Sequence, residues 1–419
     1  MKKKLLTAGI CIAVLVYLLI EANGGSNDFN IYMQGAMALF KGKDVYSVTY
    51  IDGYHYYYSL LFAIFIYPLT YLSIPLAKFT WLAANAFFLY RLIRLMAGYF
   101  NISTFSVKKK WLFFDLCFAF GLEFILLNFR YEQATVCILY LTLEGLRLIF
   151  SGKKFAGALF IALGVNIKIL PVVLLPYLLY RKEFKASVMM ILTYTALMFI
   201  PALVIGFHRN MALLASWGYL INPMNKAHVL DVGERSFHSL STLLATLLIA
   251  NLHVNYALPI KRNIANITPA QLVYVINSVR LVLIFFSLYF FRTWPFAHAK
   301  SALHRLWETA YLLLLIPLIF PHQQEYAFLF VVPAACYIIY YLMTERHSIS
   351  KIKFRILVAC SILSYLACNI RFLLGQYNAY YEHFKVLTYG ALLLIPMLAA
   401  CVPAEVKTKQ RDTAKISIP

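Results

Sequence analysis

The apolar run Leu5–Ile20, LLTAGICIAVLVYLLI, leads into Asn27–Lys43, NDFNIYMQGAMALFKGK, and the pair sets the class of this chain. The second segment opens on an acid, Asp28. It then places Phe29, Tyr32, Met33, Ala36, Met37 and Phe40 at i, i+3, i+4, i+7, i+8 and i+11, one face of a helix, with Asn30, Gln34 and Lys41 elsewhere. The pattern predicts a helix lying flat on a membrane surface. Asp28 is its N-cap and first-turn residue, where a spanning segment meets water. That carboxylate is the first candidate for a chemical centre.

Working outward, the whole chain is apolar. Its 419 residues are 62% hydrophobic and 13% charged, with a mean hydropathy of +0.72, against about 25% charged in soluble domains. Many apolar runs near the roughly 20 residues that cross a bilayer are separated by short polar connections, so the chain reads as an all-α polytopic membrane protein. The net charge of +21 would suggest nucleic acid in a soluble protein. Here the basic residues cluster in short loops, as cytoplasmic anchors do, and no nucleic-acid recognition module accompanies them. The seven cysteines, Cys11, Cys117, Cys137, Cys336, Cys360, Cys368 and Cys401, lie within apolar runs without metal-site spacing, which predicts packing roles and no disulfide framework. The N-terminal run reads as an uncleaved first helix rather than a signal peptide.

Charge gives a topology. Lys2–Lys4 place the N-terminus in the cytoplasm, and Arg91, Arg94 and Lys108–Lys110 mark the next inside connection. Two apolar runs lie between, 57–72 and 76–90, so one of them must not cross. The first is aromatic-rich and broken by Pro68 and Pro75, and is assigned to the interface. The run 239–250 is placed there by the same logic. Spans near 5–20, 76–90, 111–128, 134–150, 155–167, 169–180, 187–206, 269–291, 304–320, 325–343, 354–374 and 384–402 then give about twelve transmembrane helices, two interfacial segments and cytoplasmic termini. Asp28, Asp44, Arg130, Glu132, Lys168, Arg235, His238, His322 and Glu325 all fall on the outer side. Such a set can hold an anionic lipid headgroup while a carboxylate accepts a proton from a hydroxyl nucleophile.

Asp28-Phe29 followed by Tyr32, Gly35, Gly42, Asp44 and Tyr46 resembles the opening signature of glycosyltransferase family 87, integral-membrane enzymes of the GT-C fold. Gly164–Tyr180, GVNIKILPVVLLPYLLY, is similar to that family's small-residue segment with a Lys and a Pro. Asn128–Gln133 resembles its Asn-x-x-x-Gly-Gln loop, and Ser236–Leu240 sits where an Asn-Gln-Ser-Leu segment is usual. The resemblance runs from about residue 25 to 345. Three departures stand out: Tyr56-Tyr57-Tyr58-Ser59 replaces a Tyr-Pro-Pro, Glu132 stands where Gly is usual, and a late His-rich motif is reduced to His322-Gln323-Gln324-Glu325.

The resemblance implies a GT-C-like catalytic module over 1–345, accessory helices over 346–404 and a basic cytoplasmic tail over 405–419. It implies transfer of a sugar, mannose or a related hexose or pentose, from a polyprenyl-phosphate donor to a glycolipid or polysaccharide acceptor outside the cell membrane. Asp28 would be the single base of an inverting displacement. Lys168, Arg130 and Arg235 would stabilise the departing phosphate. Tyr32, Asp44, Glu132, Gln133, His238, His322 and Glu325 would complete the substrate site. Glu132, His322 and Glu325 are residue types that ligate a divalent metal, although their spacing does not require one, and no metal site is assigned.

Each candidate also has a plain structural role open to it. Asp28 serves equally as a helix cap, Lys168 as a snorkelling cation, and Arg130 with Glu132 as a local loop pair. Charges within apolar runs, among them Glu144, Arg280, Glu308 and Arg371, fit internal ion pairs between helices. Tyr54 and Tyr56–Tyr58 fit a sugar platform or an aromatic belt. A transporter or lipid flippase would also explain many helices with buried charges, but predicts a repeat between 1–210 and 211–419, and none is evident. A non-catalytic scaffold for envelope assembly would not need Asp28.

Overall fold

Ser59, Ser239, Thr268, Ser301 and Ser350 each stand immediately before a helix. In the computed structural model each accepts a hydrogen bond from the backbone N–H three residues on and starts a helix. At Thr268 the cap is reciprocal, with Gln271 reaching back to the Thr268 N–H and Pro269 in the first turn. Helix is the expected state for such segments, because apolar surroundings offer no solvent partner for backbone N–H and C=O groups. The structure describes residues 2–25, 28–50, 53–222, 233–250 and 257–406. Most of the basic tail expected beyond residue 405 lies outside them.

The described residues form no strand, only one isolated antiparallel bridge between Phe237 and Gln324. In chain order the helices are α1 Lys2–Ala22, α2 Asp28–Phe40, α3 Leu60–Ile66, α4 Ile74–Tyr99, α5 Val107–Arg130, α6 Thr135–Phe150, α7 Lys154–Ile167, α8 Leu174–Tyr180, α9 Phe184–Phe199, α10 Ala202–Ile205 and α11 Phe207–Ile221. There follow α12 Leu240–Leu248, α13 Pro269–Phe291, α14 Ala302–Ile319, α15 Val332–Thr344, α16 Lys351–Asn369, α17 Asn378–His383 and α18 Val386–Ala400. The all-α expectation therefore holds. Among the described residues, six helical stretches are long and apolar enough to cross a membrane: 107–130, 184–205, 269–291, 302–319, 325–344 and 351–373. A seventh counts if Gly375–His383 and Val386–Ala400, bent at 64°, form one span. The runs assigned to the interface are short helices, Leu60–Tyr71 with its 3₁₀ end and Leu240–Leu248.

The chain divides into two compact units. The first comprises Met1–Leu95, Ile125–Val172 and Phe184–Asn222. Its α2 is buried well beyond the single face expected. Phe29, Tyr32, Ala36 and Leu39 are covered, and so are Ile31, Gly35 and Ala38 on other sides. The helix expected from periodicity is therefore packed on more than one side within the protein, because α3 and the segment around Tyr56 lie over its other faces. Gly35 makes that contact with Tyr56: a Cβ there would lie 2.6 Å from the tyrosine ring. In the same unit α6 and α7 touch backbone to backbone. A Cβ on Gly157 would stand 2.5 Å from the carbonyl oxygen of Gly145, and one on Gly145 would stand 2.8 Å from that of Gly157.

The second unit comprises Met96–Phe124, Val173–Glu183 and Pro223–Pro419. Its centre is α14, buried along nearly its full length. Phe290 stacks on both Trp307 and Tyr311, with ring centres 4.2 and 4.3 Å away. Glu308, read as an internal ion-pair partner, meets a wholly buried Arg181 whose other donors reach Ala297 O at 2.8 Å and Thr293 Oγ1 at 2.9 Å. Tyr177 adds a hydrogen bond to Glu308 at 3.1 Å. A buried pair satisfied in this way avoids the cost of stranded charge.

Candidate active site

Asp28 opens α2, so its carboxylate stands in the first turn, where unpaired backbone N–H groups favour negative charge. Gln133, on the loop before α6, donates its side-chain N–H to Asp28 Oδ2. The amide oxygen of Gln133 faces two hydroxyls, Tyr32 at 3.4 Å and Tyr58 at 3.5 Å, and these hydroxyls lie 2.8 Å from one another. Phe29, Tyr32, Tyr58, Phe62 and Trp81 surround this network with stacked and edge-on rings. Asp28 itself keeps partial exposure. One carboxylate thus emerges from an otherwise aromatic wall.

Lys168 belongs to the same unit, at the break after α7, where the backbone turns extended. Its ammonium lies 5.9 Å from the centre of the Tyr58 ring. Burial pushes its pKa down to about 8, an effect partly reversed by the charge of Asp28. The Tyr58 hydroxyl is pushed upward, first by burial and then by Asp28, so it stays neutral. Below, Ser59 Oγ donates to Asn166 Oδ1 at 2.7 Å, tying the start of α3 to the end of α7.

Four sequence candidates, Asp28, Tyr32, Gln133 and Lys168, therefore come together. Other candidates have partners outside this group. The loop reading pairs Glu132 with Arg130, but the structure gives Glu132 a different cation. It forms a buried salt bridge of 2.9 Å with Lys78, while Trp81 Nε1 donates to its backbone oxygen at 2.7 Å. Arg130 is exposed. Glu132 also occupies the left-handed backbone region, φ 55°, which gives a physical reason for the glycine usual at that place. Asp44 accepts from Tyr46 N at 2.9 Å and Ser216 Oγ at 3.0 Å, fixing a turn against α11. Sequence reasoning misses Lys78 and Trp81. A lone lysine in the apolar run 76–90 is the one available signal.

The second unit gathers a different polar cluster. The Phe237–Gln324 bridge, with His238 N donating to Gln323 O at 2.9 Å, sets His238 beside Glu325. His238 is wholly buried, and its Nε2 lies 3.2 Å from Glu382 Oε2 and 3.4 Å from Glu325 Oε1. Burial pushes the imidazole pKa down to about 4, with the Glu382 contact opposing, so the ring is neutral at physiological pH. Arg371 pairs with the remaining oxygens, Glu325 Oε2 and, at 3.2 Å, Glu382 Oε1. Arg235 is largely exposed, 3.9 Å from Glu382, and His322 packs its ring against Phe237 in a left-handed turn, φ 55°. The metal-ligating types named from sequence, Glu132, His322 and Glu325, are not the group that converges: Glu132 is bound to Lys78 in the first unit. Among the described residues the converging group is His238, Glu325 and Glu382. Glu382 and Arg371 come from the stretch read as accessory.

No curated protein matches the chain, and no solved structure does. A family model described as Glycosyltransferase family 87 matches residues 56–321, which include Tyr58, Gln133 and Lys168 but begin after Asp28. With well over half of its length matched, and with the resemblance of its motifs pointing the same way, the chain belongs to glycosyltransferase family 87.

Proposed function

We propose that this protein transfers a sugar, mannose or a related hexose or pentose, from a polyprenyl-phosphate donor to a hydroxyl of a glycolipid or envelope polysaccharide. The reading includes about twelve spans, cytoplasmic termini and a site on the outer face of the cell membrane, as the distribution of basic loops favours. The observation that carries it is the joint placement of Asp28 and Lys168 around Gln133 and Tyr58, a carboxylate and a cation beside one cluster of aromatic rings. In the reaction an acceptor hydroxyl attacks the anomeric carbon and gives its proton to Asp28. The bond from that carbon to the phosphate oxygen breaks, and Lys168 stabilises the charge gathering on the departing phosphate. A single displacement inverts the anomeric configuration.

The test offers purified protein a panel of labelled polyprenyl-phosphate sugars with a lipid acceptor and analyses the products. Transfer by the parent chain, with a loss of about a thousandfold or more in Asp28→Asn that elutes and unfolds as the parent does, supports the assignment. Undiminished transfer by Asp28→Asn removes the proposed base. Movement of donor across vesicles without any transfer favours a flippase instead.

A further inference from the structure

Three segments distant in sequence converge in the second unit on one small volume: His238 before α12, Glu325 after α14 and Glu382 in α17. We propose that His238 Nε2, Glu325 Oε1 and Glu382 Oε2 form a binding site for a divalent transition-metal cation, Zn²⁺ or Mn²⁺, that fastens these segments together.

The geometry fits such an ion. A tetrahedral centre with nitrogen and oxygen ligands at about 2.0–2.2 Å sets neighbouring ligand atoms roughly 3.3–3.6 Å apart. His238 Nε2 stands 3.2 Å from Glu382 Oε2 and 3.4 Å from Glu325 Oε1, and one ligand atom from each of the three residues can be chosen so that all lie within 4.8 Å of one another. Arg371 does not occupy this volume's ligands. It takes Glu325 Oε2 and Glu382 Oε1, the other oxygen of each carboxylate, and so turns Glu325 Oε1 and Glu382 Oε2 toward the imidazole. Arginine in that position is an outer support that orients the ligands.

A second observation is a buried carboxylate oxygen left over after Arg371 is paired. Glu325 is 3% exposed, and its Oε1, aimed at the imidazole, has no hydrogen-bond partner. A single Nε2–H can serve only one of the two carboxylates well, whereas a cation coordinated by the Nε2 lone pair serves both. The imidazole is held for this task by rings of Phe328 and Tyr381 and by Thr388 Oγ1, which donates to the His238 carbonyl at 2.7 Å. Nitrogen with two carboxylates suits Zn²⁺ or Mn²⁺, and the absence of thiolate from the ligand set argues against a soft metal.

The proposal stands apart from the transfer reaction, and its readout is binding. Full-length protein in detergent is stripped with a chelator, then titrated with Zn²⁺ or Mn²⁺ while bound metal is counted by mass spectrometry and unfolding is followed by temperature. Expected is about one ion per chain with a rise in Tm of several degrees. Glu325→Gln and Glu382→Gln each weaken binding by about tenfold or more, and Asp28→Asn leaves the binding curve unchanged. Wild-type protein that binds neither ion and unfolds at the same temperature throughout overturns the site and leaves a metal-free ion-pair network. Stoichiometric binding that survives in both glutamine variants also overturns it, because the ion then sits elsewhere. Where a glutamine variant fails to fold, the wild-type titration decides.

Discussion

Lys78 and Glu132 form a salt bridge at 2.9 Å with only 2% and 1% of their side chains exposed, although 54 residues separate them in sequence. Lys78 also donates to the Gly25 carbonyl at 2.5 Å, so it ties the approach to α2 to the loop that carries Gln133. Lys78→Met strips a buried carboxylate of this cation, and a loss of about 3–5 kcal/mol is expected. Combining it with Glu132→Gly removes both charges and places glycine at the left-handed position. Thermal unfolding in detergent should show the double variant closer to the parent than Lys78→Met alone.

Gln133 holds Asp28 with its amide nitrogen and the Tyr32 and Tyr58 hydroxyls with its amide oxygen. Gln133→Ala leaves the carboxylate present but no longer oriented. Turnover should fall by about ten- to a hundredfold with a smaller change in donor KM. Steady-state kinetics with the donor varied separates the two effects, and a change in KM alone would place Gln133 in binding only.

Lys168 titrates near pH 8 in the folded protein, against an ordinary value of 10.5. Between these values the folded chain binds fewer protons than the unfolded one. Its contribution to stability is therefore unfavourable below pH 8 and improves as pH rises toward 10.5. Activity should run the opposite way, falling above about pH 8 as the ammonium is lost. Lys168→Met should lower kcat by about 10²–10³, remove that alkaline limb and leave Tm no lower than the parent's. A pH–rate profile with a parallel melting series checks both signs.

Gly35→Ala forces a methyl group to within 2.6 Å of the buried Tyr56 ring, whose hydroxyl is fixed on the Ser59 carbonyl. The ring cannot turn away without losing that bond. A destabilisation of about 1–3 kcal/mol is expected, measured by thermal unfolding, with no such loss from Gly98→Ala, where an added Cβ would meet nothing beyond its own stretch of helix.

Helix identity is legible in the apolar runs themselves, and at Ser59, Thr268 and Ser301 the start is fixed by local capping chemistry. The grouping of Asp28 with Lys168 follows from assigning both to one side, not from any local pattern. What periodicity misses is the depth of α2: one apolar stripe is visible, but Gly35 and Ala38 give no hydrophobic signal and are buried by what packs onto them. Ion-pair partners are illegible for a related reason. Arg130 is two residues from Glu132 and is the natural guess, yet the left-handed turn at Glu132 aims its carboxylate toward Lys78. Arg371 reads as an ion-pair partner, but Glu382 passes unnoticed, since only the folded chain brings it to His238.

The near contact of Gly145 with Gly157 has a mechanical consequence. Backbones this close cannot slide past one another without collision, so α6 and α7 behave as a single plank. Gln133 sits two residues before the start of α6 and Lys168 one residue beyond the end of α7. The two are mounted like the jaws of a fixed gauge, and the span between them is set before any substrate arrives. If the proposed lipid-linked donor is the substrate, its entry and exit leave that span unchanged, and any bending they need falls outside the α6–α7 pair.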